Sequence, residues 1–195
     1  MAFVKKAVGE RCYLSPCSLD DAQQWTIWES DLDIAVPLGG EAYTTTSVDQ
    51  QRERLREVAS HHEHVFNIVH LETDEAMGRC MLFSVDHVNR HAMLGILLDR
   101  AHQGQGYGRE AVRLLLDYAF CLLNLNSVML GVMAFNEGAL RCYRAVGFGE
   151  IGRRRQARIM AGVKHDAILM DILAEEYEPV YLTRHLPGAP ALGDV

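Results

Sequence analysis

The run Gln103-Gly104-Gln105-Gly106-Tyr107-Gly108-Arg109 stands between an apolar segment ending near Leu98 and a segment of helical periodicity. Glycines in a strand-to-helix turn let backbone N–H groups converge without Cβ interference, and the helix start adds partial positive charge. Such a turn can hold a phosphate. Arg109 in the first helical turn runs against the dipole preference, which an anion bound there would offset. On these residues alone, a tight turn that merely uses glycine is the alternative. The Walker pattern GxxxxGK[ST] is absent. Gly106, Gly108 and Ala111 satisfy GxGxxG/A, but three apolar runs of strand length precede them. The next one, Val128 to Ala134, ends without the acid a dinucleotide fold requires.

Other chemistry-bearing residues carry less. His61, His62, Glu63 and His64 lack the HExxH spacing, and adjacent residues cannot all face one ion, so no metal is expected. Cys12, Cys17, Cys80, Cys121 and Cys142 are odd in number and show no CxxC, as expected of thiols in a reducing compartment. Trp25, Trp28 and Tyr43 either line a pocket or belong to the core.

The elements that must position these groups follow from periodicity. Ser18 caps a helix through Trp25 and Trp28; Pro37, Gly39 and Gly40 force a loop; Ser47 with Gln50 forms a capping box for a helix through Val58. VFNIVHL, RCMLFSV and HAMLGILL read as three antiparallel strands. REAVRLLLDYAFCLLN is a long helix with a broad apolar face, SVMLGVMAF a buried strand, EGALRCYRAV a short helix closed by Gly147, and the remainder a hairpin around Met160 to Val163. The expected fold is an α/β (α+β layered) domain: a mixed, mainly antiparallel sheet flanked by helices. Residues 1–178 are expected to form one domain and 179–195, with Pro179, Pro187 and Pro190, a flexible tail. The chain has 195 residues, 49% apolar, and a net charge of −7; no apolar run reaches membrane length, and MAFVKKAVGE has none long enough for a signal peptide, so none is expected. A cytoplasmic protein without nucleic-acid or membrane partners is expected.

Gln103-x-x-Gly106-x-Gly108, preceded by Leu94 to Leu98, resembles the acetyl-CoA pyrophosphate motif of GCN5-related N-acetyltransferases (GNATs). Asn136 through Phe148 resembles that family's Asn…Tyr…GF segment. The resemblance spans about Val65 to Leu173 and is strongest to the ribosomal-protein and spermidine N-acetyltransferase subgroup. It implies a GNAT-like fold in which the strand before the loop splays from its neighbour. The main chain of Ile96, Leu97 and Leu98 would then pair with the pantetheine arm as with an added strand. It further implies that Gln103, Gly104, Gln105, Gly106, Tyr107, Gly108 and Arg109 hold the coenzyme diphosphate and that Asn136 holds its amide arm. Tyr143 would be the general acid for the departing thiolate. Asn136 also suits a helix N-cap, and Tyr143 a core position.

The resemblance implies direct acetyl transfer from acetyl-CoA to a primary amine, with the two N-terminal helices and their connection walling the acceptor site. Between Leu14 and Gln51 that wall carries seven acids and no Lys or Arg. Glu29, Asp31, Asp33 and Glu41 are expected to draw in a cationic acceptor, such as a polyamine, or a protein N-terminal amine. Arg153, Arg154, Arg155 and Arg158 either face that pocket or protect an edge strand. Many relatives carry a Glu where Met93 stands, and a thioether takes no proton. Asp86, His87 and His91 are the nearby alternatives, or the amine loses its proton to water. Met93 also keeps open a coenzyme-binding sensor without transferase activity. Relatives are often dimers or larger, and the final hairpin offers strands a second copy could pair with.

Overall fold

The apolar runs expected to be strands are strands of a single sheet. The computed structural model describes residues 3–60 and 64–187. Its strands are β1 (Ala7–Val8), β2 (Cys12–Pro16), β3 (His64–His70), β4 (Ala76–Asp86), β5 (His91–Leu98), β6 (Ser127–Met133), β7 (Gly149–Met160) and β8 (Val163–Leu173). They lie in the order β1-β2-β3-β4-β5-β6-β8-β7, and each neighbouring pair is antiparallel except β5–β6. The α-helices among the described residues are α1 (Ala22–Ser30), α2 (Leu32–Ala35), α3 (Val48–Ser60), α4 (Tyr107–Asp117) and α5 (Glu137–Val146). The capping box read at Ser47 is present: Ser47 N–H donates to Gln50 Oε1 and Gln50 N–H to Ser47 Oγ. None of these helices is long and apolar enough to cross a membrane.

Alternation along the strands divides the core into two layers. On one face, Ala92 and Leu94 of β5, with Met170 and Ile172 of β8, pack under Ala111, Leu114 and Leu115 of α4 and Leu140 of α5. On the other, Leu97 and Val65 pack under Trp25, Trp28, Ile34 and Leu55 from α1, α2 and α3. The sheet thus separates a face carrying α4 and α5 from a face carrying the acidic N-terminal helices.

Three expectations need correction. β1 and β2 precede the strands read from the sequence; Cys12 to Ser15 are all buried, so the run lacks the polar alternation that would have marked it. The helix expected through Asn124 stays α-helical only to Asp117 and continues as a π turn over Tyr118–Leu122. The tail expected to trail from residue 179 is docked at its start. Asp117, fully buried, accepts the hydroxyl of Tyr177 (2.6 Å) and the N–H groups of Tyr181 (2.5 Å) and Leu182 (2.8 Å). A buried carboxylate must find donors, and this segment supplies them. Residues 188–195 lie outside the described residues.

Candidate functional site

β5 and β6 pair only through His91↔Ser127, Ala92↔Val128 and Met93↔Met129. Beyond Met93 they part. β5 continues to Leu98 against β4 and β6 to Met133 against β8, so a V opens in the middle of the sheet. Along its β5 arm the main chain of residues 94–98 has a strand partner on one side only, leaving hydrogen-bonding groups for an extended, amide-bearing ligand. Ile96, Leu97 and Leu98 occupy that arm as expected, with Leu97 buried toward the N-terminal helices. Met93 stands at the apex.

The glycine run closes the wide end of the V. Arg100–His102 form a 3-10 turn, and α4 begins at Tyr107 with Gly106 as N-cap in the left-handed region (φ +93°). That conformation suits glycine and turns the chain so that the first helical N–H groups point out of the helix without intrahelical acceptors. Among the described residues no backbone acceptor takes the N–H of Gly104, Gln105 or Gly106. Side-chain amides brace the loop from within: Gln103 Nε2 donates to Leu98 O (2.9 Å) and Gln105 Nε2 to Ala101 O (2.6 Å). Gln103, Gln105 and Arg109 are exposed. Tyr107 is turned inward, its ring against His70 and His102, so its side chain is closed to a ligand and only its N–H is available.

α5 flanks the V from the α4 side. Asn136 caps it, with Oδ1 accepting from Ala139 N–H (3.1 Å), so the expected capping role holds and Nδ2 is left for another partner. Tyr143 is 8% exposed and packs edge-on to Phe148 at 5.8 Å. Burial, with a smaller contribution from Cys142, pushes its phenol well above the usual range, and no hydrogen bond among the described residues holds its hydroxyl. Cys142 reaches toward Gly108, and a Cβ built on Gly108 would lie 3.2 Å from Leu98 Cδ1. The β5 arm, the glycine turn and α5 therefore converge.

The opposite face carries the acidic wall, with partners the sequence did not reveal. Glu29 does not edge an open pocket as expected. It is 4% exposed, pairs with Arg79 Nη2 at 2.5 Å and lies 3.4 Å from Arg54 Nη1, because α3 and the sheet close over it. Arg79 in turn stacks on Trp25 at 4.6 Å. Asp31 caps α2 by accepting from Asp33 N–H (2.9 Å), and exposed Asp33 pairs with Arg100 beside the glycine turn. Glu41 lies at the start of a 3-10 turn with Oε2 enclosed and without a hydrogen-bond partner in the described structure. Arg158 of β7 donates to Val36 O (2.6 Å) and Leu38 O and lies over the Tyr43 ring, bridging the face from the far end of the sheet. Arg153 instead pairs with Asp166 at 3.1 Å, while Arg154 and Arg155 are exposed on the edge strand. Asp86 is a poor proton acceptor: Val88 N–H, Asn89 N–H and Asn89 Nδ2 each donate to it at 2.8 Å, and Asn89 chiefly holds its carboxyl below the usual range. Of the histidine cluster, His61, His62 and Glu63 lie outside the described residues; His64 Nδ1 is 3.1 Å from Tyr118 Oη.

Comparison with known proteins agrees with this fold. Residues 11–149 match the family model described as "Acetyltransferase (GNAT) domain". The chain is 31% identical over 179 residues to "Probable N-acetyltransferase YjcK" of Bacillus subtilis, covering 87% of this chain and 98% of that protein. It is 34% identical over 103 residues to spermidine N(1)-acetyltransferase of Escherichia coli K12, a match spanning about half of each (53% and 55%). The crystal structure of spermidine N-acetyltransferase from Vibrio cholerae in complex with CoA and spermine superposes with a TM-score of 0.79 at 25% identity, over 85% of this chain and 97% of that one.

Proposed function

The chain belongs to the GNAT family of acetyltransferases, and from that premise we propose that it moves the acetyl group of acetyl-CoA by direct attack onto a primary amine. The proposed acceptor is a small cationic amine such as a polyamine, or a protein N-terminal amine. The parting of β5 from β6 beside a glycine turn with free N–H groups carries the donor half. An open strand edge and an anion-binding helix start, side by side, fit a ligand that is peptide-like at one end and a diphosphate at the other. Acetyl-CoA supplies the activated thioester.

The chain's own residues do the rest. The main chain of Ile96, Leu97 and Leu98 orients the arm, the N–H groups from Gly104 to Arg109 hold the anion, and Asn136 offers Nδ2. Tyr143 carries its proton at Oη for the departing thiolate: a phenol is neutral at physiological pH, and burial raises its pKa further. With Asp86 engaged and Met93 at the apex, the amine loses its proton to water; about one molecule in a thousand of an amine with pKa near 10 is neutral at pH 7. The acceptor reading rests on the acidic composition of the N-terminal segment and on relatives named for spermidine. Asp33 and Glu41 are the groups proposed to meet a cation, with Asp31 adding charge from its cap; Glu29, held by Arg79, shapes the wall from behind.

A thiol-release assay over a panel of polyamines, other amines and peptides with free N-termini, run beside calorimetry with acetyl-CoA, tests both halves. Turnover with at least one amine class is expected. Coenzyme binding without turnover on any of them would replace a transferase with a coenzyme sensor.

A further inference from the structure

Glu110, one turn into α4, is buried, and its Oε1 accepts the backbone N–H groups of Arg11 (2.8 Å), in the turn between β1 and β2, and of Cys12 (3.1 Å), the first residue of β2. Gly9 makes this approach possible: a Cβ there would overlap Glu110 Oε1. With its backbone fixed, Arg11 lays its guanidinium over the Tyr107 ring at 4.3 Å and donates from Nη1 to the carbonyl of Gln105 (2.8 Å). In a trans peptide the carbonyl of one residue and the N–H of the next point in opposite directions. Holding Gln105 O toward Arg11 therefore turns the Gly106 N–H away from it.

Resting on the donor half of the reading above, we infer that Arg11 is a positioning residue for the coenzyme diphosphate: the β1–β2 turn, anchored on Glu110, locks the Gln105–Gly106 peptide with its N–H presented to the anion. Glycines on both sides of Gln105, at φ +72° and +93°, leave this peptide free to rotate once the guanidinium is gone, and rotation would present a carbonyl oxygen to the phosphate instead.

The test compares two donors on wild type, Arg11→Ala and Arg11→Lys: acetyl-CoA, and S-acetyl-pantetheine, which lacks the diphosphate. Arg11→Ala is expected to raise the Kd for acetyl-CoA about 3- to 10-fold with kcat held, the range for one hydrogen bond. It should leave kcat/KM for S-acetyl-pantetheine unchanged, and Arg11→Lys should recover part of the loss by donating to the same carbonyl. An unchanged Kd in Arg11→Ala, or an equal loss on both donors, overturns the inference. If wild type itself shows no preference for acetyl-CoA over S-acetyl-pantetheine, the glycine turn does not hold the diphosphate, and the donor reading fails with it.

Discussion

Tyr143 combines a buried ring with a hydroxyl that no hydrogen bond among the described residues holds; burial keeps the phenol protonated and makes it a weaker acid, so the proposed transfer to the thiolate depends on position more than on acidity. Tyr143→Phe keeps the contact with Phe148 and is expected to leave the thermal midpoint unchanged while lowering kcat about a hundredfold near pH 7. The defect should shrink above pH ~9, where a thiol of pKa near 8.5 leaves unprotonated. In wild type, kcat/KM should rise about tenfold per pH unit from 7 to 9 as the amine deprotonates, and the upward shift of Tyr143 means it adds no falling limb in that range; an initial-rate pH series on both proteins reads all of this. The glycine turn, the helix cap at Asn136 and the buried position of Tyr143 were legible as structure because each lies in a short contiguous motif. Arg11 and Glu110 were not, since they meet across about a hundred positions and neither carries a local pattern. The acids of the wall were visible as composition, but their neutralising partners, Arg79 for Glu29 and Arg100 for Asp33, came from other elements.

Burial decides how much those pairings matter to the elements they join. Glu29 ties α1 to β4 through a pair whose side chains are both 3% exposed, whereas Asp33 and Arg100 meet in solvent. Glu29→Ala should strand the Arg79 guanidinium and cost about 3–5 kcal/mol, while Asp33→Ala should cost under about 1 kcal/mol. Urea unfolding of the two variants checks the contrast, with Trp25, stacked on Arg79, as the fluorescent reporter. The helices could be read from their apolar stripe, and the middle strands as short apolar runs bounded by turn residues. β2, enclosed on both sides, and the π turn after Asp117 follow from tertiary packing and left no such mark.

Across the whole molecule, Arg158 spans the face that carries the N-terminal helices, donating to the carbonyls of Val36 and Leu38 and linking the edge strand to the loop after α2. Arg158→Ala should free that loop and raise KM for the amine several-fold without a matching change in KM for acetyl-CoA; two-substrate kinetics separates the terms. The parting of the strands also has a mechanical side. Within the sheet, three residue pairs stitch a five-stranded half to a three-stranded half, and the core under α4 and α5 holds the two plates together behind that short seam. A ligand lying along the gap would clamp the plates, slowing amide exchange from Leu94 to Leu98 and raising the melting temperature with its concentration. A coenzyme that left both unchanged would have to be bound somewhere other than this seam.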